Sequence, residues 1–390
     1  MTNRVADVII VGGGLMGAAT AFFLRRRGRS VILLERDLVG QHASGTNFGN
    51  VRRQARFLPQ LPLANRSREL WGRLPELLGE DVEFLPRGHL RFCFRPEEVG
   101  GLETYARDAL EYGLELEMVS RNALRARFPY LAPEIIAGSY SPRDGHANPR
   151  LAAPAFTRAA VREGAVIKEN TEVLSIAKSG EDFLIETREA GQFRAPVVQI
   201  SAGAWAGPFA AEFDRAVPMV PRGPQMGVTE PWPYAIEPAL GVSSKVPEEG
   251  IYLRQVKRGN IVFGGALRGP AYLDTRRAYI DPSITLHQLH HLRRVVPALA
   301  RVNVIRSWSG IEGYVDDDRP IMGMSEKVRG LYYAFGFCGH GFQLGPGVGD
   351  VMAELIDAGR TSTPLGPFQI SRFEPERAAE AASEKEGARR

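Results

Sequence analysis

The chain has 390 residues, of which 44% are hydrophobic and 24% are charged. This length allows two domains with a large buried core, and the composition is that of an ordinary globular protein. The formal net charge is only +4, and no basic run is interleaved with aromatic residues, so we do not expect nucleic-acid binding. Two cysteines, Cys93 and Cys338, are too few for a disulfide framework or, alone, for an iron–sulfur cluster. Because no stretch has the form of a targeting or membrane-spanning segment, we expect a cytoplasmic protein.

The first 35 residues predict a strand, a glycine turn, a helix and a second strand. The apolar run Val8–Val11 is typical of a strand that is buried on both faces. Gly12, Gly14 and Gly17 follow it at the G-x-G-x-x-G spacing. At this spacing the first glycine permits a tight turn, the second lets the backbone approach a pyrophosphate, and the third lets the helix pack closely on the strand.

The start of this helix and the end of the second strand complete a nucleotide site. Leu15 and Met16 would begin the helix, where free N–H groups and the helix dipole favour phosphate. Glu35 follows the second strand, and its carboxylate can accept hydrogen bonds from ribose hydroxyls. These residues predict dinucleotide binding, and on their own they suit NAD as well as FAD.

Two further stretches carry a family resemblance. Residues 43–52 read ASGTNFGNVR, and residues 336–342 read GFCGHGF. With the glycine fingerprint, they resemble the D-amino-acid-oxidase-type flavoenzymes, a family that includes glycine oxidase and the sarcosine oxidases. The resemblance covers about residues 5–373, and it implies non-covalently bound FAD.

The resemblance also implies the fold, a mixed α/β architecture. A Rossmann-like FAD-binding domain would comprise residues 1–84, 145–212 and 316–373, with residues 166–176 returning the chain to its sheet. An interleaved substrate domain, built on a mostly antiparallel sheet, would comprise residues 85–144 and 213–315. The charged, alanine-rich residues 374–390 have no apolar face, and we expect a flexible tail there.

The cofactor contacts that we expect lie in the glycine fingerprint, the 43–52 run, three later strands and the second glycine turn. They are Gly12, Gly14, Leu15, Met16, Gly17, Glu35, Arg36, Ser44, Asn47, Gly49, Asn50, Val173, Ala202, Gly203, Trp205, Gly310, Gly339, His340, Gly341, Phe342 and Gln343. Some of these have other interpretations. Asn47 also suits a cap of its own turn, His340 also suits a structural turn residue, and for Trp205 we favour core packing.

Candidate substrate residues lie on a predicted hairpin at residues 250–266. Strand alternation places Tyr252 and Arg254 on one face, where a hydroxyl and a guanidinium fork could bind a carboxylate. The alternative is a solvated polar face. The resemblance places Tyr252 over the substrate carboxylate, directs Arg52 towards the flavin and brings His340 near it. A solvated surface position is the alternative for Arg52, and that alternative is stronger for Arg53 and Arg56.

Two positions depart from the family pattern. Sarcosine oxidases carry a lysine beside the flavin that helps the reaction with oxygen, and the matching residue here is Val262. This departure favours a dehydrogenase. Glycine oxidase and D-amino-acid oxidase carry a carboxylate-binding arginine where this chain has Glu312. If Glu312 faces the substrate, it would attract a cationic group, such as the guanidinium of an arginine-derived opine. A salt-bridged Glu312 at the core edge is the alternative.

The runs GIEGY at residues 310–314 and CGHGFQLGPGVG at residues 338–349 look most similar to β subunits of hetero-oligomeric amine dehydrogenases. This group includes opine oxidases, hydroxyproline dehydrogenase and hydrogen cyanide synthase. The resemblance implies oxidation of the C–N bond of an amino acid or secondary amine, such as an opine, hydroxyproline, sarcosine or glycine.

In this interpretation, hydride passes from the carbon that bears the neutral amine to flavin N5. Companion subunits with a second flavin and an iron–sulfur cluster would accept the electrons. We expect no metal in this chain itself. Two alternatives remain open: a stand-alone oxidase that produces peroxide, and a flavin-bearing assembly subunit without turnover of its own.

Overall fold

The computed structural model describes residues 4–373. The segment that we expect to form a tail, residues 374–390, lies outside the described residues. Residues 4–373 form nine α-helices: α1 (Leu15–Arg26), α2 (Ala43–Thr46), α3 (Leu61–Leu78), α4 (Pro96–Leu110), α5 (Arg121–Arg127), α6 (Pro149–Arg162), α7 (Ala206–Phe213), α8 (Pro282–Val295) and α9 (Gly341–Ala358). No helix in this part of the chain is long and apolar enough to cross a lipid bilayer.

The strands of the same residues alternate with these helices. They are β1 (Val8–Val11), β2 (Val31–Leu34), β3 (Asn50–Val51), β4 (His89–Cys93), β5 (Glu117–Ser120), β6 (Ala137–Ser141), β7 (Gly145–His146), β8 (Val166–Lys168), β9 (Val173–Ser179), β10 (Asp182–Thr187), β11 (Gly191–Ala195), β12 (Val197–Ile200), β13 (Met219–Pro231), β14 (Ala239–Val242), β15 (Ile251–Gln255), β16 (Asn260–Gly269), β17 (Ala271–Tyr272), β18 (Arg277–Ala278), β19 (Val304–Ser309), β20 (Glu312–Val315), β21 (Ile321–Met324) and β22 (Leu331–Phe335).

A six-stranded sheet carries the glycine fingerprint. Its order is β21-β22-β12-β1-β2-β8, and every pair is parallel except the edge pair of β21 with β22. Helices α1, α6 and α9 pack together over one face, and apolar residues of the three-stranded sheet β9–β11 cover the other. The prediction for residues 166–176 is therefore only half correct. Residues 166–168 join the six-stranded sheet, whereas the chain from Val173 leaves it for the three-stranded sheet.

A nine-stranded sheet forms the second layer. Its order is β19-β13-β16-β15-β14-β4-β6-β5, with β20 also paired to β13. All of its pairs are antiparallel except β14 with β4. Helix α8 packs against β15 and β16. The mixed α/β fold class is thus confirmed. The division of the chain into two interleaved domains stays a prediction, although the two sheets draw their strands from the expected segments.

Helices α1 and α9 cross at very short range because their contact residues are small. A Cβ atom built on Gly345 would lie 2.3 Å from Leu15 Cδ2, and one on Gly349 would lie 2.4 Å from Ala19 Cβ. Both values are well below van der Waals contact. At Gly349 the close atoms include the backbone of α1, so a side chain there would force the helices apart, whereas at Gly345 the Leu15 side chain would have to move. The crossing sets the positions of both helix N-termini, and these bracket the cavity described below.

Replacing Gly349 with alanine should destabilise the protein by about 1–3 kcal/mol, since the added methyl group forces the two helices apart. We expect a lower melting temperature and weaker retention of cofactor. Gly100→Ala in α4 is the matched control, because a Cβ there meets no atom within 4 Å and the change should stabilise the helix by about 0.5–1 kcal/mol. Equal melting temperatures for the two variants would contradict the proposed crossing.

Candidate active site

A cavity of about 790 Å³ lies between the two sheets. At one end it is lined by the glycine turn after β1, the end of β2 and the 43–52 loop. At the other end it is lined by β4, β14, β15, β16 and β20, and the turn before α9 contributes to its wall. Most of the residues that we expect to contact the cofactor line this one cavity, as do Arg52, Tyr252, Glu312 and His340.

The glycine turn after β1 has the tight geometry that its sequence predicts. A Cβ on Gly12 would lie 2.5 Å from the carbonyl oxygen of Ser201, and Gly12 has a φ of +107°. A Cβ on Gly17 would lie 2.1 Å from the carbonyl oxygen of Gly12. Gly17 does not line the cavity, so its contribution is to bring α1 close to β1.

Side chains order the backbone at the start of α1. The Leu15 N–H donates to Ser44 Oγ at 2.8 Å. Glu35 is buried, and its carboxylate accepts hydrogen bonds from the N–H of Gly13 at 2.6 Å and from the N–H of Asp37 at 2.8 Å. A carboxylate oxygen has a second lone pair, so Glu35 can hold this turn and still accept from a ligand hydroxyl.

Asn47 stabilises the 43–52 loop from within. Its side-chain amide donates to the carbonyls of Ala43 and Ser44, and its Oδ1 accepts from the N–H of Gly49 at 2.7 Å. The hydrogen bonds of Asn47 are therefore those of a residue that caps its own turn. Asn47 also lines the cavity.

Two other amide oxygens of the cavity wall are left without a partner. Asn50 Oδ1 and Gln343 Oε1 are buried and accept no hydrogen bond from any residue between 4 and 373. Leaving a buried acceptor unpaired costs about 1–3 kcal/mol. Both residues line the cavity, so a ligand with N–H or O–H donors would relieve this cost.

Arg36 and Trp205 line the cavity together. The Arg36 guanidinium lies 4.6 Å from the centre of the Trp205 ring, and the Trp205 indole N–H donates to the carbonyl of Leu273 at 3.0 Å. Trp205 is half-buried, so it is part of the cavity wall rather than of the core that we favoured. Val173, Ala202 and Gly203 complete this wall.

The second glycine turn lies between β22 and α9. Gly339 and Cys338 have positive φ angles of 76° and 50°, which aim the start of α9 at the cavity. The Cys338 Sγ accepts from the N–H of Val315 at 3.4 Å, and burial raises the pKa of this thiol to about 12. Cys338 is therefore a packing residue, because the reactive thiolate is scarce at neutral pH.

His340 lies at the N-terminus of α9 and is neutral at physiological pH. Burial lowers its pKa well below the usual value, and the charges of Arg56, Arg52 and Arg268 lower it further. Arg56 fixes the backbone at this point, because both of its terminal amino groups donate to the His340 carbonyl at 3.3 Å. A neutral imidazole can donate and accept hydrogen bonds at the cavity wall without adding charge.

Three of the expected site residues lie outside the cavity wall. They are Gly17, Gly310 and Arg254. Gly310 packs against the 43–52 loop, since a Cβ on it would lie 2.0 Å from Thr46 Oγ1. It therefore lets the nine-stranded sheet approach the loop and has no side chain in the cavity.

The placement of Arg254 requires a correction. Its Nε donates to the Phe48 carbonyl at 2.6 Å, and its Nη1 lies 3.2 Å from His146 Nδ1. Tyr252 and Arg254 do share a face of the strand, but Phe48 of the 43–52 loop covers the part of that face on which Arg254 lies. Val262 lies under the same cover, packed with Phe48 and Met226. Neither Arg254 nor Val262 is therefore available to substrate in this arrangement.

Sequence reasoning missed Arg268, which supplies the guanidinium at this end of the cavity. Its Nε donates to the Tyr314 hydroxyl at 3.1 Å, and that hydroxyl donates to Glu312 Oε2 at 2.7 Å. The signal was present in the alternation of the hairpin. Tyr252 pairs with Gly264, so every second residue from Gly264 onward shares its face, and Arg268 is the second of these.

Arg268, Tyr314 and Glu312 are joined by these hydrogen bonds, and we call them the Arg268 cluster. This cluster changes the interpretation of Glu312. Burial raises the pKa of Glu312 on balance, although the charge of Arg268 and the hydrogen bond from Tyr314 lower it in part. Burial would lower the pKa of Arg268, but the surrounding Tyr252, Tyr314 and Glu312 raise it on balance, so it stays cationic. Glu312 thus has a cation beside it already and does not need a cationic substrate group.

Arg53 and Arg56, for which the surface alternative was stronger, are both buried, and Arg52 lines the cavity. Arg53 is buried and pairs with the fully buried Asp144 at 2.9 Å. Arg56 is buried, and its pKa falls to about 9 because of desolvation and the charge of Arg52. Arg52 lines the cavity and donates to the carbonyls of Gln54 and Ala55.

Comparison with known proteins decides the family. The sequence model of a family described as FAD dependent oxidoreductase (DAO) matches residues 7–355. The chain belongs to the DAO family of FAD-dependent oxidoreductases. Glycine oxidase of Geobacillus kaustophilus is 31% identical over 381 residues, covering 95% of this chain and 98% of the relative. A subunit of the opine oxidase of Rhizobium meliloti is 28% identical over 394 residues, covering 95% and 99%.

Solved structures of related enzymes have the same fold. The crystal structure of L-proline dehydrogenase from P. horikoshii superposes with a TM-score of 0.89 at 27% identity, covering 96% of this chain and 99% of that one. Glycine oxidase from Geobacillus kaustophilus superposes with a TM-score of 0.87 at 26% identity, covering 95% and 100%. The chain is therefore an FAD-dependent enzyme that oxidises amines or amino acids.

The cavity residues fit FAD. Gly12 and Gly14 leave the N-terminus of α1 open to a pyrophosphate, and Glu35 lies at the ribose position of the fingerprint. Asn50 and Gln343 offer unpaired acceptors, which suit the polar edge of a flavin. No group of three or more His, Cys, Asp or Glu residues within 4–373 is arranged to hold a metal ion.

The buried histidines predict how stability depends on pH. Burial lowers the pKa of His89, His146 and His340 well below the usual 6.5. The unfolded chain therefore takes up protons below pH 6.5 that the folded chain does not bind. Stability that is present above this pH is lost as pH falls, by about 1.4 kcal/mol per histidine for each pH unit.

We expect the melting temperature to fall steeply between pH 7 and pH 5.5, and less steeply in His146→Gln. His290→Gln, a change of an exposed histidine on α8, is the matched control. A slope that is the same in wild type and His146→Gln would mean that His146 is already protonated in the folded protein.

Proposed function

We propose that this chain oxidises the C–N bond of an amino acid or secondary amine whose carboxylate is bound by Arg268 and Tyr252. The observation that supports this proposal is the position of the Arg268 cluster beside the second glycine turn. A Cβ on Gly339 would lie 3.3 Å from the Tyr314 hydroxyl and 3.5 Å from Glu312 Oε2. A carboxylate held at this cluster therefore has its α-carbon next to the turn that the resemblance assigns to the flavin ring.

This placement suggests a role for the cofactor and for each neighbouring side chain in the reaction. When bound, FAD supplies the hydride acceptor. Arg268 and Tyr252 orient the substrate through its carboxylate, and the charge of Arg268 is maintained by its neighbours. The neutral His340 adds no positive charge that would repel an ammonium group. We infer that the substrate reacts as the neutral amine, so that no side-chain base is required.

We further propose that the chain works as the catalytic subunit of a cytoplasmic assembly. Two relatives of nearly the same length are named as subunits of larger enzymes. One is the opine oxidase subunit already described, and the other is the β subunit of the sarcosine oxidase of Rhizobium meliloti, which is 27% identical and of which the match covers 88%. Companion subunits with a second flavin and an iron–sulfur cluster would then accept the electrons. The two cysteines, Cys93 and Cys338, are buried and are not a cluster site.

A stand-alone oxidase is the second candidate. It is favoured by the 31% identity to glycine oxidase. The loss of a lysine at Val262 no longer argues against it, because Val262 does not line the cavity and the arginines supply cations there instead. Oxygen reactivity therefore has to be measured directly.

Replacing Arg268 with methionine should lower kcat/KM for amino-acid substrates at least about 30-fold, because truncating one partner of a buried charge pair costs about 2 kcal/mol or more. The rate of flavin bleaching under anaerobic conditions measures this effect. Arg222→Met is the matched control, since the exposed Arg222 stacks on the same Tyr314 ring at 5.4 Å.

A second variant separates charge from folding. The double variant Arg268→Met/Glu312→Gln leaves no unpaired carboxylate in the cavity, and it should fold and retain FAD while still reacting slowly. Wild-type bleaching rates in the single and the double variant would refute the role of Arg268.

If no amine from a panel of glycine, sarcosine, proline, hydroxyproline and opines bleaches the wild-type flavin, then the chain is an assembly subunit without turnover.

The acceptor is tested with the isolated chain. A subunit of a dehydrogenase should reduce an artificial dye such as dichlorophenolindophenol much faster than it reduces oxygen. Peroxide formation at the same rate as dye reduction would favour the stand-alone oxidase.

A further inference from the structure

Arg91 is a cation of the cavity wall that the reaction proposed above does not use. It lies on β4 with His89, and alternation directs both side chains to the same face. Both line the cavity. Within residues 4–373, the Arg91 side chain forms no hydrogen bond or ion pair, although it is half-buried. Burial and the nearby charge of Arg52 lower its pKa to about 10, so it remains protonated at neutral pH.

No carboxylate of the wall balances Arg91 and Arg52. Burial lowers the pKa of Arg52 on balance, and the charge of the buried Asp144 raises it only in part. The Asp144 carboxylate accepts its hydrogen bonds from the backbone N–H and the Nε of Arg53. The acidic residues that line the cavity are Glu35, Glu172 and Glu212 at the nucleotide end and Glu312 in the Arg268 cluster. Partly buried guanidinium groups without an anion are costly, which makes this part of the wall a site for an anion supplied by a ligand.

Arg52 and Arg268 both lie close enough to His340 to act on its charge, so the two cationic parts of the wall adjoin the same residue. Both arginines also line the same cavity, so one ligand bound there has access to both. Arg91 lines the same cavity, and it is near enough to Arg52 for that charge to add to the effect of burial and lower its pKa.

We propose that Arg91 and Arg52 form a second anion subsite, so that the substrate of this enzyme is an amine with two carboxylates. This inference rests on the proposed function, because it assigns the first carboxylate to Arg268 and Tyr252. The second carboxylate lies on the other substituent of the nitrogen or on the side chain, and Arg91 selects for it. Monocarboxylic amines such as sarcosine leave the subsite empty and bind less tightly.

The test uses two unreactive thioethers as probes. Thiodiacetate and (methylthio)acetate are matched except for one carboxylate, and both carry sulfur where an amine substrate carries nitrogen. Their dissociation constants are measured from the change in flavin absorbance of the holoenzyme. We expect the wild type to bind thiodiacetate more tightly. Arg91→Met should weaken thiodiacetate binding about 10-fold or more, since it removes a charged hydrogen-bond donor, and should leave (methylthio)acetate unchanged.

Two further variants serve as controls. Arg91→Lys keeps the charge and should recover part of the affinity for thiodiacetate. Arg121→Met changes an exposed arginine on α5 and should affect neither probe. If Arg91→Met does not fold, Arg91→Gln replaces it in the same assay.

Equal affinity of the wild type for both probes would overturn the inference, and so would an equal loss for both probes in the variant. Because neither probe is oxidised, the result does not depend on turnover. If the enzyme prefers the dicarboxylate probe but oxidises no amine, the anion subsite is supported and the proposed function is refuted. If it oxidises amines but shows no preference between the probes, the proposed function is supported and the anion subsite is refuted.

Discussion

The short-range crossing of α1 and α9 is the contact on which the arrangement of the cavity depends. Gly345 and Gly349 let the two helices approach until backbone and small side chains touch. Each helix begins at a glycine turn, and the two turns are more than 300 residues apart in sequence. Because the crossing fixes both helices as one unit, the N-terminus for the pyrophosphate and the turn beside the Arg268 cluster are held at a set distance. A cofactor with phosphates at one end and a ring system at the other suits such a geometry.

The inner part of the cavity is dominated by positive charge. Arg52, Arg91 and Arg268 line it, and Glu312 is the only carboxylate of the inner wall within the described residues. Burial lowers the pKa of His340, and the charges of Arg56, Arg52 and Arg268 lower it further. The charges also restrict the ligands that can enter, because an anion lowers the energy of the site and a cation raises it.

Much of the nucleotide end could be predicted from the sequence, because its signals are local. The G-x-G-x-x-G spacing and Glu35 lie within one strand–helix–strand unit, and the mechanical requirement for each glycine is known. The substrate end could not be predicted to the same extent. Alternation gave the correct face for Tyr252 and Arg254, but it could not show that Phe48, some 200 residues earlier, covers half of that face.

The missed arginines have the same explanation. Arg268 lies two residues beyond the predicted hairpin, and Arg91 lies on β4. Within one strand, a cavity-facing arginine and a solvent-facing arginine have the same sequence pattern. Only the pairing of the strands distinguishes the two. Residues 166–176 show a related limit, since one segment that was predicted to join a single sheet contributes to two different sheets.

The hydrogen bond from Arg254 to the Phe48 carbonyl joins the hairpin of the substrate end to the loop that borders the cofactor. Gly310 and Trp308 add a second junction, because the Trp308 indole N–H donates to the Thr46 carbonyl at 2.7 Å. The loop and the nine-stranded sheet therefore cannot shift independently without breaking these hydrogen bonds. A displacement at the nucleotide end of the cavity thus carries an energetic cost at the substrate end.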